Sequence, residues 1–245
     1  GDDVILRWNG RTLSAVSSPV RRPRPVSIHG SAANDVWIIG AAALRWDGTR
    51  LQSHTSGVGL NDVFVRGPSA AYGVDDNGRV LVWDGRTWTS TTSGTRNDLH
   101  TVFGTASEVW AAGERGTVIR DSGSGFRAGP SIGSTFEATD LWMSSPTDVY
   151  VATDRVGPLV RYDGTRWQVP FTRADRPLSA VYGRSASDVW VAGVSAFFAE
   201  YDGTTWADGN AQRPVRAFAR TSTAAGATLF AAGLDDLLMR RDPSG

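Results

Sequence analysis

Three runs decide the fold: LSAVYG at 178–183, SASDVWVAG at 185–193 and FFAEYDGTTW at 197–206. Leu178–Gly183 alternates and ends in glycine, as a strand does before a turn. Ser185–Asp188 is a polar turn, and Val189–Gly193 reads as a second strand. Phe197–Tyr201 is a third. Asp202-Gly203 is a two-residue hairpin signal, since both turn positions favour positive φ, and Thr205-Trp206 opens a short fourth strand. Four antiparallel strands in about 40 residues is the content of one propeller blade.

The phrase recurs outward from there. Asp35-Val36-Trp37 is followed by Trp46-Asp47-Gly48, and Asp148-Val149-Tyr150 by Tyr162-Asp163-Gly164 and Trp167. Glu108-Val109-Trp110 is a further copy. Worn copies centre on Tyr72, with Trp83-Asp84-Gly85 and Trp88, and on Phe230. The anchors 37, 72, 110, 150, 190 and 230 are 35, 38, 40, 40 and 40 residues apart. The expected architecture is therefore all-β: one propeller domain over residues 1–245, with six four-stranded blades and seven as the alternative. Val4–Trp8 and Arg11–Val16 read as the third and fourth strands of a split blade. Val215–Arg220, Thr228–Ala232 and Leu237–Arg241 read as its first three strands, so the N-terminal strand is expected to join the C-terminal blade and close the ring. Val4–Trp8 then duplicates Leu237–Arg241, and this surplus keeps seven blades open.

A blade lies between two others, so its inner strands are apolar on both faces. The repeated aromatics are expected to wedge the blades together, each burying about 150–250 Å². The acid before Val-Trp (Asp35, Glu108, Asp148, Asp188) recurs once per blade, so it is read as a structural group holding the first hairpin turn.

Composition narrows the function classes. The formal net charge is zero, which argues against a partner held through phosphates, so no nucleic acid is expected. Cysteine is absent, which excludes disulfides and thiolate metal sites. All 25 basic residues are arginine, the mark of a GC-rich coding sequence. No run approaches the roughly 18 apolar residues of a membrane span. The chain begins at Gly1 rather than Met, as a processed product or a segment of a longer protein would.

The pattern Asp-Val-Trp, Gly, then Trp/Tyr-Asp-Gly-Thr-x-Trp resembles the tandem propeller repeats of secreted and lipoprotein chains of myxobacteria and related bacteria. More distantly it resembles the Asp-box (BNR-type) repeats of sialidase-like and photosystem-assembly-factor propellers. The resemblance covers essentially the whole chain and implies a secreted, periplasmic or cell-surface binding or scaffold module. Asp163-Gly164-Thr165-Arg166-Trp167 departs from a true Asp box by placing glycine directly after the acid. No arginine matches the sialidase carboxylate-binding triad and no tyrosine is marked as its nucleophile, so sialidase catalysis is not implied.

In propellers, ligands gather where the chain crosses from one blade to the next. Aligning the first strands places Ser27, Asp62, Thr101, Asp140, Ala180 and Ala217 in one ring, preceded by Val26, Asn61, His100, Thr139, Ser179 and Arg216. Asp62, His100, Thr101 and Asp140 are the candidate ligand-binding residues. Asp62 and Asp140 are the candidate metal ligands, with Ca²⁺ at the channel mouth as the only cofactor considered. That arrangement resembles calcium-centred lactonase and phosphotriesterase propellers. Arg21-Arg22-Pro23-Arg24-Pro25 is the densest basic run and lies on a crossing loop. Arg22, Arg24 and Arg216, with Arg173, Arg176 and Arg213 at later crossings, are candidates to hold carboxylates, phosphates or acidic sugars.

Asn77-Gly78 is a plain hairpin signal, and Asp75-Asp76 lacks the spacing of an EF-hand. His29, His54 and His100 are scattered and read as structural. No nucleophile elbow, phosphate loop or paired-histidine metal motif occurs. The leading expectation is a non-catalytic propeller that recognises a glycan, peptide or protein on its crossing loops. The alternatives are a metal-centred hydrolase or lactonase and an architectural segment of a longer surface protein.

Overall fold

The computed structural model describes residues 4–9, 11–54, 57, 59–154, 157–172, 177–194, 196–210, 214–223, 226–233 and 238–241. Every sheet in them is antiparallel and follows chain order. β1 (Ile5–Trp8) and β2 (Leu13–Val16) form a two-stranded sheet. Five four-stranded sheets follow. The first is β3 (Ser27–Ala32), β4 (Asp35–Ile39), β5 (Ala43–Trp46) and β6 (Leu51–His54). The second is β7 (Asp62–Gly67), β8 (Ala70–Val74), β9 (Val80–Trp83) and β10 (Trp88–Thr91). The third is β11 (Leu99–Gly104), β12 (Val109–Gly113), β13 (Val118–Asp121) and β14 (Arg127–Ala128). The fourth is β15 (Ala138–Ser145), β16 (Asp148–Thr153), β17 (Pro158–Tyr162) and β18 (Trp167–Thr172). The fifth is β19 (Leu178–Ser185), β20 (Asp188–Gly193), β21 (Phe197–Tyr201) and β22 (Trp206–Asn210). The last has three strands: β23 (Val215–Thr223), β24 (Gly226–Gly233) and β25 (Leu238–Arg241).

The described residues thus hold seven sheets where six blades were expected. Among them, no helix is long and apolar enough to cross a membrane. The chain divides into two compact units, Gly1–Ala111 with Ile119–Gly129, and Ala112–Val118 with Pro130–Gly245. Within the first, β3, β7 and β11 lie against one another in succession; within the second, β15, β19 and β23 do the same.

The strand sequences explain this stacking. The second strand of a sheet is covered on both faces, so it carries no polar face: β16 is buried along its whole length and so is β12. Outer strands are only partly covered, and β18 keeps polar and exposed positions. Between the first two four-stranded sheets, the ring of Trp37 sits 4.9 Å from those of Trp83 and Trp88, and His54 closes the cluster 4.8 Å from Trp83. Such edge-on aromatic pairs add about 0.5–1.5 kcal/mol each beyond the area they bury.

Close approach of neighbouring first strands needs a residue without a side chain. The Trp142 ring lies over Gly183, where an added Cβ would come within 2.4 Å of it, and Phe64 lies over Gly104 in the same way at 2.8 Å.

The third-to-fourth turns differ from the two-residue hairpin expected. Tyr201 pairs with Trp206, Tyr162 with Trp167 and Trp46 with Leu51, so four residues form each loop. Only the glycine takes positive φ, 98° at Gly48 and 95° at Gly203. The aspartate instead caps the loop: Asp47 Oδ1 accepts Thr49 N at 2.8 Å, Arg50 N at 2.9 Å and Thr49 Oγ1 at 2.7 Å. Asp163 and Asp202 repeat the pattern. These donors hold Asp47 and Asp163 well below the ordinary carboxylate range and bring Asp202 down to about 2. Asn77 and Gly78 do take positive φ, 73° and 71°, but within a longer connection, residues 75–79, since Val74 pairs with Val80.

Candidate binding face

The first strand of each sheet is an edge strand, so its outward N–H and C=O groups have no partner within the sheet. Side chains of the preceding sheet supply one. Asp62 Oδ2 accepts Val102 N at 2.8 Å, and Asp140 Oδ2 accepts Val181 N at 2.8 Å. In both cases Oδ1 accepts the N–H of the following residue, Val63 or Leu141, at 2.8 Å. The residue one position earlier donates to a carbonyl of the next sheet. Asn61 Nδ2 reaches Leu99 O at 2.9 Å, Thr139 Oγ1 reaches Leu178 O at 3.0 Å, and Ser179 Oγ reaches Val215 O at 2.8 Å.

The positions that vary most between copies of the repeat are therefore joints between sheets. Ser27 Oγ donates to Asp62 Oδ1 at 2.6 Å, and the Thr101 side chain also bonds to Asp62. Thr101 itself is buried. Although Asp62 is only half-buried as a residue, its carboxylate is enclosed. Burial pushes its pKa up against the opposing pull of Ser27, Val102 N, Val63 N and Thr101. The structure thus brings Asp62, Thr101 and Ser27 together and leaves His100 half-buried beside them in sequence. Asp140 and Arg216 belong to the other compact unit, where Arg216 is exposed on β23.

The donor set around Asp62 does not fit calcium. That ion takes about six to eight oxygens, whereas both carboxylate oxygens here face N–H or O–H donors, whose positive ends repel a cation. Among the described residues, no three His, Cys, Asp or Glu side chains form a metal-binding group.

The acid before Val-Trp is committed too, though to different partners from those expected. Instead of holding the hairpin turn through backbone N–H groups, it pairs with an arginine that also covers the aromatic anchor. Arg45 Nε donates to Asp35 Oδ1 at 2.9 Å and lies over Trp37. Arg161 Nε donates to Asp148 Oδ1 at 2.6 Å and lies over Tyr150 at 5.3 Å. Arg184 pairs with Asp188 and lies over Trp190, and Arg120 faces Glu108 at 3.7 Å and lies over Trp110. Ser31 and Ser144 donate to the second oxygens of Asp35 and Asp148. Asp35, Glu108 and Asp148 are buried, so each needs its cation. The sequence holds this signal in the arginine just before Trp46 and Tyr162, but the acid and the base lie 10 and 13 residues apart on different strands.

Arg22 and Arg24 lie exposed on the crossing into β3. Arg173, Arg176 and Arg213 lie outside the described residues. One open depression of about 400 Å³ is lined by the Asn77–Arg79 turn and the Thr91–Arg96 crossing. Arg79 is held there by Asp75 at 2.7 Å.

The chain matches no protein-family model and no curated protein. Among solved structures it is similar to YCF48 bound to D1 peptide, with TM-score 0.75, 15% identity, and coverage of 100% of this chain and 87% of that one. It is also similar to YCF48 from Cyanidioschyzon merolae, with TM-score 0.69 at 16% identity over 96% of this chain and 86% of that one. A third neighbour is the extracellular domain of a putative one-component system, BT4673, from B. thetaiotaomicron. There the TM-score is 0.73 and the identity 10%, covering 98% of this chain and 36% of that one. These neighbours are β-propeller-like folds, and with the stacked four-stranded sheets they place this chain in the β-propeller class.

Proposed function

We propose that the chain is a non-catalytic recognition module that binds an extended peptide or a loop of a partner protein on its strand-crossing loops. One observation carries the reading: the regular part of the repeat spends its acids on arginines, edge N–H groups and turn caps, while exposed arginines collect on a crossing loop. A site built for acid–base or metal chemistry needs a carboxylate open to its substrate or ion, whereas both oxygens of Asp62 and of Asp140 already accept backbone N–H groups. The YCF48 neighbour was captured with a peptide, which supports a peptide ligand over a glycan. The same proposal places the protein among secreted, periplasmic or surface proteins, supported by the extracellular domain among its structural neighbours.

The test is selection of peptides from a random display library on the folded chain, run beside a glycan array. Enrichment of a peptide family that binds with a measurable Kd supports the reading. Glycan binding with no enriched peptide, or no binder of either kind, overturns it.

A further inference from the structure

The two-stranded sheet β1–β2 has the sequence of an outer half-sheet. Val4–Trp8 runs into Asn9-Gly10 as Phe197–Tyr201 runs into Asp202-Gly203, so β1 and β2 match third and fourth strands. One face of this sheet is already docked. Ile5 and Val16 pack on the cluster of Ile38, Leu44 and Leu51, and the Arg7 guanidinium lies 5.1 Å from the centre of the Trp46 ring. That seats β1–β2 over β4, β5 and β6 and leaves β3 without a buried residue.

Ile28 on β3 shows what is missing. Its counterparts on the next four first strands, Val63, Val102, Leu141 and Val181, are 2–3% exposed, whereas Ile28 is 63% exposed. Val63 is buried in one cluster with Trp37 and Ile39, both from the second strand of the sheet before it. No second strand stands before Ile28 among the described residues, where β1 pairs with β2 alone.

The other edge of β1 points to the same gap. Bonded and non-bonded pairs alternate along an antiparallel ladder. Asn9 N bonds to Thr12 O, so Arg7–Ser14 and Ile5–Val16 are the bonded pairs, and the N–H and C=O groups of Leu6 and Trp8 point away from β2. In complete sheets the matching residues face a second strand: Tyr201 and Ala199 pair with Val189 and Val191, and Trp46 and Leu44 with Val36 and Ile38. An open strand edge is a template for a further strand.

We propose that the β1 edge and Ile28 form a docking site for a β-hairpin of a partner chain, and that this hairpin has the chemistry of the repeat's own first and second strands. Its second strand adds to β1 and sets an aromatic side chain against Ile28, as Trp37 stands to Val63, continuing the interface already made between successive sheets. The site does not depend on the peptide reading above.

The experiment uses residues 178–193 as the hairpin, closed by a disulfide between cysteines added at its two ends, where Leu178 pairs with Gly193. Labelled with fluorescein, it is expected to bind the parent chain in anisotropy, and a scrambled peptide is not. I28D is expected to bind about ten-fold or more weakly, while melting close to the parent because Ile28 is exposed. In a second arm residues 178–193 are fused before Gly1, where Gly1–Asp3 supply the spacing of Val194–Ala196. The fusion is expected to raise Tm, to protect the Leu6 and Trp8 amides from exchange, and to stop binding of the free hairpin. Binding unchanged by I28D overturns the site, as does a fusion that leaves both amides unprotected. Protection in the fusion without binding of the free hairpin overturns a separate partner and assigns the edge to a segment of the same polypeptide. Dimerisation of the parent that I28D abolishes overturns it in favour of a second copy.

Discussion

Removing the Asp62 carboxylate should show whether it is a joint or a ligand site. In D62A the bond to buried Val102 N is lost, together with those to Ser27 Oγ and Val63 N. A buried N–H left without an acceptor costs about 1–3 kcal/mol, and a hydrogen bond to a charged group contributes about 1.5–3 kcal/mol. Ser27 is only half-buried and can turn to water, so the total comes to about 3–5 kcal/mol. That is a large part of the roughly 5–15 kcal/mol that holds a domain folded. D62N keeps one acceptor oxygen and should lose about 1–3 kcal/mol. Urea unfolding followed by the fluorescence of the ten tryptophans reads both.

The pH dependence has a definite sign. Burial raises the folded pKa of Asp62 above its ordinary 3.8, so the group's stabilisation is fully present below pH 3.8. What is lost as pH rises through the folded value is the part set by burying the charge, while the bonds from Val102 N, Val63 N and Ser27 Oγ remain. The stability advantage of the parent over D62N should therefore shrink as pH rises across that window. A cost below about 1 kcal/mol for D62A would refute the joint, as would an advantage over D62N that grows with pH. So would a calcium-dependent rise in Tm that D62N abolishes.

Three further outcomes follow from the same structure. R161A leaves buried Asp148 with Ser144 as its one remaining side-chain partner among the described residues and should cost about 2–4 kcal/mol in urea unfolding, discounted for the partial exposure of the arginine. G183A drives a Cβ into the Trp142 ring and should cost about 1–3 kcal/mol with a change in tryptophan emission, whereas an unchanged midpoint would mean the strands separate freely. The turn caps Asp47, Asp84, Asp163 and Asp202 all have depressed pKa values, so their stabilisation is present above pH 3.8 and is lost as pH falls through the folded values. D163A should accordingly narrow the gap in Tm to the parent as the pH is lowered below 3.8.

The sheets were legible in the sequence because each second strand repeats an aromatic between small and branched residues, and Trp110, Tyr150 and Trp190 fell 40 residues apart. The third-to-fourth turns were legible in place but not in form. Asp-Gly promised a two-residue hairpin, yet the hydroxyl and N–H groups of Thr49, Thr165 and Thr204 draw the aspartate into capping a four-residue loop. The termini were harder, since strand patterns alone do not say which sheet a strand joins. In the sequence, Asp62 and Asp140 stand out against apolar neighbours, which is the pattern of a ligand site. Their partners are backbone N–H groups 40 and 41 residues on, and a main-chain donor leaves no mark in a sequence. The arginine run was visible at once, but its positive φ angles come from the folded chain alone.

Amide hydrogen exchange at Val102 and Val181 reaches the joints without passing through overall stability. Both amides lie on edge strands and should be protected in the parent chain. D62A should release Val102 and leave Val181 protected, and D140A should do the reverse. Rapid exchange of both in the parent, or no residue-specific release in either variant, would contradict the carboxylate joints on which the separation of scaffold from binding face depends.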